Sequence, residues 1–184
     1  NDTRRRGISF PKNLVLEDAI AIENQVPSVN KVAPQISANE IVQSNSKSLN
    51  ISIAGVTPEF IKVRSFEVDE GRFISKSDVN SARSFVVIGP DLKEEFFNNN
   101  NVIGEKIRIK DHNYEIIGTL KPKGAVFGSN QDKNAYIPLT TMVNRISGKD
   151  PTYGVSLSFI SVEAINKNKT SAAKFQITNL LRQR

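Results

Sequence analysis

The side chains that could carry chemistry are few in this sequence. His112 is the only histidine among the 184 residues, and cysteine is absent. Because zinc sites of the usual types combine several histidine or cysteine ligands, the chain cannot assemble one. His112 follows Asp111 in a polar segment between two alternating stretches, which predicts a solvent-facing position in a turn. A catalytic triad would need this histidine buried beside a serine, and no Gly-x-Ser-x-Gly segment occurs.

Adjacent carboxylates are the other candidates for acid–base chemistry. Three such pairs occur, at Glu17/Asp18, Asp69/Glu70 and Glu94/Glu95. Neighbouring side chains on a helix point to different faces, so we expect solvated charges rather than paired acids. The chain also lacks the Gly-x-x-x-x-Gly-Lys-[Ser/Thr] loop that binds nucleotide phosphates. The sequence therefore predicts no catalytic, cofactor-binding or metal-binding residues, and a protein that is not an enzyme.

The net charge of +6 raises the possibility of nucleic-acid binding. Apart from Arg4–Arg6, however, the basic residues are scattered among acidic ones, as in Glu105-Lys106. Aromatic residues do not alternate with them as a stacking platform for single strands requires. No apolar run approaches the roughly 20 residues of a membrane-spanning helix. We therefore expect a water-soluble segment whose polar start is a cut within a longer protein.

The elements that must position these residues follow from hydrophobic spacing. Apolar residues from Leu14 to Val26 recur with a period near 3.6, which predicts a helix capped by Asn13 and ended by Pro27. Leu49–Gly55 alternates cleanly and predicts a half-buried strand. Further strands are predicted at 85–88, 106–109 and 114–118, and short helices at 58–63, 77–79, 91–97 and 140–146.

The last third of the chain predicts three more elements. Ala135–Pro138 is expected to form a short edge strand, because proline cannot donate to a ladder. Val155–Val162 alternates over eight positions and predicts a strand. A C-terminal helix should follow, with one apolar side formed by Ala172, Phe175, Ile177, Leu180 and Leu181. The Gly-, Asn- and Lys-rich segment Lys121–Lys133 is expected to be a mobile loop.

The order of these elements predicts an α+β fold with two lobes. Helix and strand elements at the two chain ends mirror one another, so residues 1–57 and 151–184 should form one porter-like α/β lobe. Residues 58–150 should form a β-rich lobe inserted into it. Each end helix has one apolar stripe and each strand one apolar face, and these surfaces lose their burial unless they pack together.

Eight short segments of the chain are weak signals one by one, but their occurrence in this order is specific. They are Leu16–Ala19, Val29–Pro34, Ile53–Phe60, Glu70–Phe73, Val86–Gly89, Val102–Ile107, Tyr114–Gly118 and Tyr136–Leu139. Together they resemble the periplasmic core domain of MacB-type permeases, in the family of MacB and FtsX-type ABC transporter permeases. The resemblance runs from about Leu14 to Leu181.

This resemblance implies a non-catalytic extracytoplasmic domain of an inner-membrane transporter, without a cofactor. The implied partners are a periplasmic adaptor, an outer-membrane channel in double-membraned bacteria, the ATP-binding part through the membrane helices, and a second permease chain in a homodimer or heterodimer. The residues that carry the family signature are Gly55, Pro58, Gly71, Arg72, Gly89, Gly104, Gly118 and Pro138. We expect these signature residues to act in folding. The glycines should lie at strand ends and adopt positive φ, and Arg72 should pair with an acid.

Two alternatives remain open at this stage. One alternative is a domain of a lipoprotein-releasing or cell-division type permease. Such a permease has the same arrangement of membrane helices as a MacB-type permease but a different partner protein. A free-standing extracytoplasmic protein that captures a small ligand between its lobes belongs to a different class. Membrane helices on either side of this segment in the parent reading frame would separate the permease hypotheses from the binding protein.

Overall fold

The computed structural model describes residues 14–98, 100–123, 125–126 and 129–184. They divide into two compact units: unit 1 holds residues 14–36, 59–65 and 149–184, and unit 2 holds residues 37–58 and 66–148. The helices are α1 Leu16–Gln25, α2 Phe60–Val63, α3 Lys76–Asn80, α4 Pro90–Phe97, α5 Leu139–Met142 and α6 Thr170–Arg182. The strands are β1 Val29–Ser44, β2 Lys47–Val56, β3 Val68–Gly71, β4 Phe85–Ile88, β5 Lys106–Ile109, β6 His112–Leu120, β7 Ala125–Val126, β8 Ser129–Asn130, β9 Ala135–Pro138 and β10 Phe159–Ala164.

Unit 1 is built from both ends of the described chain. The first half of β1 pairs antiparallel with β10, from Val29 opposite Ala164 to Gln35 opposite Phe159. The helices α1 and α6 contact one another. Their apolar faces meet the strands in one buried cluster: Leu14, Ala19, Ile22, Val26, Val32, Ile160, Val162 and Ile177.

Unit 2 contains a closed ring of six strands. Neighbouring pairs follow the order β1, β2, β9, β4 and β6, and β5 closes the ring because it pairs with both β6 and β1. The pairs β2–β9 and β4–β6 are parallel, whereas β4–β9 and β5–β6 are antiparallel. The strand β3 lies outside the ring and pairs with the C-terminal end of β6. Closure leaves the ring without an exposed sheet edge.

The register of the ring assembles one apolar interior. Residues opposite one another, and residues two apart on a strand, share a face. Starting from Val42 opposite Ile109, this rule places a continuous set of side chains on one face, each at most 7% exposed. They are Val42, Ile51, Ile53, Val86, Ile88, Ile107, Ile109, Tyr114, Ile116, Ala135 and Ile137. The ring of strands is therefore a barrel. The alternation of apolar and polar residues in the sequence corresponds to side chains that point into the barrel and side chains that point out of it.

The α+β fold class is confirmed, and so are the end helices and the strand at Leu49–Gly55, which lies within β2. The strands β1 and β2 form a hairpin that turns at Asn45 and Ser46, which both have positive φ. The helix α1 begins at Leu16, after Val15, whose N–H donates to the Asp18 carboxylate at 2.9 Å. The predicted cap Asn13 lies outside the described residues.

Three predictions about the last third of the chain are wrong. The strand β9 is central, because it pairs with β2 and β4; Pro138 is its final residue, where a missing N–H does little harm. Residues 155–158 do not belong to the strand β10. Instead, the Leu157 N–H donates to the Leu14 carbonyl and the Ser158 N–H to the Gln35 carbonyl. Phe175 is 68% exposed and does not join the apolar side of α6.

The division into lobes stays a prediction. In the structure residues 37–57, expected in the lobe of the chain ends, cluster with unit 2, whereas residues 59–65 and 149–150, expected in the inserted lobe, cluster with unit 1. Within Lys121–Lys133 the described residues include the two-stranded pair of β7 and β8 and a 3₁₀ turn at Gln131–Lys133. Residues 124, 127 and 128 of that segment lie outside the described part, so its expected mobility also stays a prediction.

Candidate functional site

The candidate chemical groups lie on four different elements, α1, β3, α4 and β6. His112 is exposed and begins β6, one residue after the turn of Lys110 and Asp111, whose φ angles are positive. Asp18 is buried and bound to Arg184, Glu70 binds Lys93 at 3.0 Å, and Glu94 and Glu95 are exposed. Across the part of the chain that is described, no cluster of three histidine, aspartate or glutamate side chains could hold a metal ion.

The signature residues Gly71, Arg72 and Gly118 meet where β3 crosses β6. Gly71 lies opposite Gly118 in the ladder, and the Arg72 N–H donates to the Ile117 carbonyl at 3.0 Å. A Cβ atom on Gly118 would lie 2.1 Å from the Arg72 carbonyl oxygen, and one on Gly71 would lie 2.1 Å from the Ile117 carbonyl oxygen. Both glycines are therefore required because the two backbones approach too closely for a side chain.

The explanation by positive φ holds for only some of the signature glycines. Gly71 has φ +72° and Gly104 has φ +92°, whereas Gly55, Gly89 and Gly118 do not have positive φ. A Cβ on Gly55 would lie 2.4 Å from Met142 Cβ, and one on Gly89 would lie 2.3 Å from the Asp132 carbonyl oxygen. These three positions are thus small because of tertiary contacts, which the sequence alone does not reveal.

Arg72 forms a two-pronged ion pair with Asp78. Its Nη1 and Nη2 donate to the two carboxylate oxygens at 2.7 and 3.2 Å. Asp78 is buried, accepts the Ser75 N–H at 2.9 Å and caps α3 with Ser75. The guanidinium groups of Arg72 and Arg83 also lie 5.5 and 4.7 Å from the centre of the Phe85 ring. The predicted pairing of Arg72 with an acid is observed, and its task is to fix α3 against β3.

The ion pair with Arg72 shifts the pKa of the Asp78 carboxyl, which is buried. Burial favours the neutral acid, but hydrogen bonds from Arg72 and Ser75 outweigh it and lower the pKa of Asp78. The same hydrogen bond raises the pKa of Arg72. A lowered carboxyl pKa stabilises the fold at pH values above the unfolded value near 4, and that contribution is lost as the pH falls through the folded value.

We therefore expect Asp78→Asn to lower the free energy of unfolding near neutral pH by about 2 kcal/mol, since hydrogen bonds to a charged group are lost. The difference from the parent should shrink as the pH falls below about 4, because the unfolded carboxyl then takes up a proton before the folded one does, and it should vanish below the folded pKa, where Asp78 is protonated in both states. Urea unfolding of both proteins across this pH range measures it. A difference that stays constant with pH would contradict the assignment.

A second charged contact was not foreseen from the sequence. Tyr114 is fully buried in the barrel interior, and the Arg145 guanidinium lies 5.3 Å from the centre of its ring. Burial raises the pKa of Tyr114, and Arg145 opposes that shift only in part. Arg145 lies in a π-helical turn at Val143–Ser147. Nothing in the local sequence pairs residues 114 and 145, so only the folded chain shows this contact.

In unit 1 side-chain contacts join the elements at the two chain ends. Arg184 Nε donates to Asp18 Oδ1 at 2.8 Å, and Arg184 Nη2 lies 3.9 Å from Glu17 Oε2. Ser28 Oγ and Gln176 Oε1 are 2.6 Å apart. The end of α6 is thus attached to the start of α1, and the middle of α6 to the residues before β1.

Comparison with known proteins identifies the family. The family model described as MacB-like periplasmic core domain matches residues 2–180. The chain belongs to the MacB-like periplasmic core domains. A macrolide export ATP-binding/permease protein MacB from Shewanella sp. (strain W3-18-1) is 32% identical over 173 residues, which cover 94% of this chain and 26% of the relative. The chain therefore spans about a quarter of the length of such relatives.

Solved structures share the fold of this MacB-like domain. The periplasmic region of MacB from Actinobacillus actinomycetemcomitans has a TM-score of 0.81 at 24% identity, covering 96% of this chain and 80% of that one. The extracellular domain of the ABC-type transporter YknZ from Gram-positive bacteria has a TM-score of 0.77 at 17% identity, covering 95% and 85%. The family and the extracytoplasmic location that the sequence predicts are thus confirmed.

The geometry of this MacB-like domain explains its signature as a set of packing requirements. Gly55, Gly71, Gly89 and Gly118 allow close approach, and Arg72 fixes a short helix. Pro58 lies in the turn before α2, Pro138 ends β9, and Gly104 takes a positive φ with open space around it. Among the described residues no helix has both the length and the apolar composition needed to cross a membrane.

Proposed function

We propose that this domain docks partner proteins outside the membrane and relays ATP-driven conformational change for export. The relatives' names combine ATP binding with a permease, and the matched quarter contains no phosphate-binding loop. In a protein of that organisation ATP is hydrolysed elsewhere, so its energy reaches this domain as movement. The domain itself performs no catalysis and needs no cofactor.

The contact between Arg184 and Asp18 carries the proposal. It lies at the junction of the end of α6 with the start of α1, and Asp18 is largely buried there. The shared apolar cluster and the Ser28–Gln176 contact add to it. A displacement applied at either end of the chain therefore moves both helices together, as a relay element requires. Bistable motion of rigid bodies is the usual way in which such signals are passed on.

The partners follow from the same role. An adaptor protein and, in double-membraned bacteria, an outer-membrane channel receive the movement outside the membrane. The ATP-binding part supplies it through membrane helices of the full protein, in a homodimer or heterodimer. The export relatives support this assignment, because their names combine export with ATP binding.

Bridging α6 to the residues between α1 and β1 tests whether unit 1 moves as one body. This chain has no cysteine, so Ser28→Cys with Gln176→Cys offers a defined pair at a site where the two side chains are 2.6 Å apart. In the full-length transporter, joining this pair with a short bismaleimide should leave export at the rate of the unbridged protein. Each single cysteine variant treated with the same reagent is the control. Export that stops only in the bridged protein would show that α6 must separate from the residues between α1 and β1, against the proposal.

A further inference from the structure

Two stretches of this chain carry its net positive charge, residues 1–13 and residues 164–184. Residues 164–184 contain five lysines or arginines and no acidic residue, and residues 1–13 contain four basic residues and one acid, whereas residues 14–163 contain 16 basic and 18 acidic residues. In the part of the chain that the structure describes, the excess of positive charge thus belongs to α6 and the turn before it. Such a segment presents a field of one sign to its surroundings.

The cations lie on the solvent-facing side of α6. Ala173 and Ile177 are buried, whereas Phe175 and Arg182, seven residues apart, share the opposite face, and Lys174 lies about a quarter turn away from both. Both cations are exposed, and Phe175 is 68% exposed. A phenylalanine this open is a large apolar surface left in water beside these cations.

These cations are not neutralised by acids within the described part of the chain. Arg184 is bound to Asp18 and Glu17, but no ion pair there involves Lys174 or Arg182. Lys167 and Lys169 extend the basic face into the 3₁₀ turn before α6, and both are exposed. We call Lys167, Lys169, Lys174, Phe175 and Arg182 the α6 surface.

We infer that the α6 surface binds the face of an anionic phospholipid membrane. Phosphate head groups complement the four cations, and the Phe175 ring enters the boundary between head groups and acyl chains. A protein partner is usually held in register by charges of both signs and by directed hydrogen bonds. The α6 surface has one sign of charge, mostly on flexible lysines, and one aromatic ring. It fits a continuous layer of identical head groups better than a structured acidic protein.

Sedimentation of the 184-residue chain with vesicles tests this inference. We expect binding to vesicles in which about a third of the lipid is phosphatidylglycerol, and little binding to phosphatidylcholine alone. Each cation near such a surface contributes about fivefold in affinity, so Lys174→Glu should weaken binding by about tenfold or more. Phe175→Ser should weaken it several-fold at any salt concentration, because the lost contact is apolar. Raising the salt should weaken binding of the parent chain.

Two variants in unit 2 provide matched controls. Lys106→Glu makes the same change in net charge at an exposed position on β5, and Ile41→Ser removes an exposed apolar side chain from β1. Both should bind the anionic vesicles as the parent chain does. Circular dichroism confirms that all four variants are folded, as expected for exposed positions.

Three results would overturn the inference. One is equal binding to the two kinds of vesicle, or binding to neither, which would leave the α6 surface to an acidic protein partner. Another is anionic binding that survives Lys174→Glu and Phe175→Ser. A third is binding that is lost only when Arg4–Arg6 are replaced, which would assign the contact to the other basic cluster. The relay proposed above depends on none of these outcomes, because it rests on α1 and α6 moving together.

Discussion

The variant Gly118→Ala is expected to unfold far more readily than the parent chain. The new Cβ would lie 2.1 Å from the Arg72 carbonyl oxygen and 2.9 Å from its carbon, both backbone atoms that cannot rotate away. To fit it, β3 must separate from β6 just where Gly71 and Gly118 are paired. Overpacking of this kind costs about 3 kcal/mol, and the expected loss in the free energy of unfolding is at least that large.

Gly104→Ala separates this steric effect from the effect of backbone angle. Gly104 has positive φ, but nothing lies within 4 Å of the place that its Cβ would take, whereas Gly118 does not have positive φ. The cost at Gly104 should therefore be only that of a left-handed backbone, about 1 to 2 kcal/mol. Chemical denaturation of both variants gives the two values. A Gly118→Ala variant as stable as Gly104→Ala would show that β3 and β6 are not held this closely.

Ile177→Ala should also be strongly destabilising. Ile177 is fully buried in the cluster that joins α1, α6, β1 and β10. Removing its side chain loses apolar burial and leaves a cavity, and such substitutions cost about 2 to 5 kcal/mol.

Phe175→Ala is the matched control on the same helix, two residues away. Because the ring is 68% exposed, its loss should change the free energy of unfolding by less than about 0.5 kcal/mol. Thermal unfolding of the two variants gives the comparison. Equal destabilisation would mean that both residues pack in the core, as the sequence pattern alone suggested.

Phe175 shows why hydrophobic spacing predicts a helix more reliably than its buried face. The spacing predicts one apolar side formed by residues 172, 175, 177, 180 and 181, but the cluster with α1, β1 and β10 takes in Ile177, Leu180 and Leu181 and leaves Phe175 exposed. The pattern is local, whereas the covered area is set in part by segments more than 100 residues away. The same reason explains residues 155–158, which alternate like a strand but bond to the start of α1 and to β1.

The signature was visible in the sequence, but its physical causes were not. The strands at Leu49–Gly55 and 85–88 and the helix at 91–97 follow from hydrophobic spacing, because that signal is local. The contacts of Gly55 with Met142 and of Gly89 with Asp132 join distant segments. The contact of Arg145 with Tyr114 does so too. No spacing rule predicts such pairs, which only the tertiary fold brings together.

The most direct measurement of the proposed relay is the ratio of export to ATP hydrolysis in the full-length transporter carrying Arg184→Glu. This change places a third carboxylate beside Asp18 and Glu17, and repulsion should separate the end of α6 from α1. Arg184→Lys keeps the charge, and Lys106→Glu makes the same charge change in unit 2. We predict that ATP hydrolysis persists while export falls several-fold in Arg184→Glu alone. An unchanged ratio in Arg184→Glu, with normal expression, would contradict the relay through unit 1.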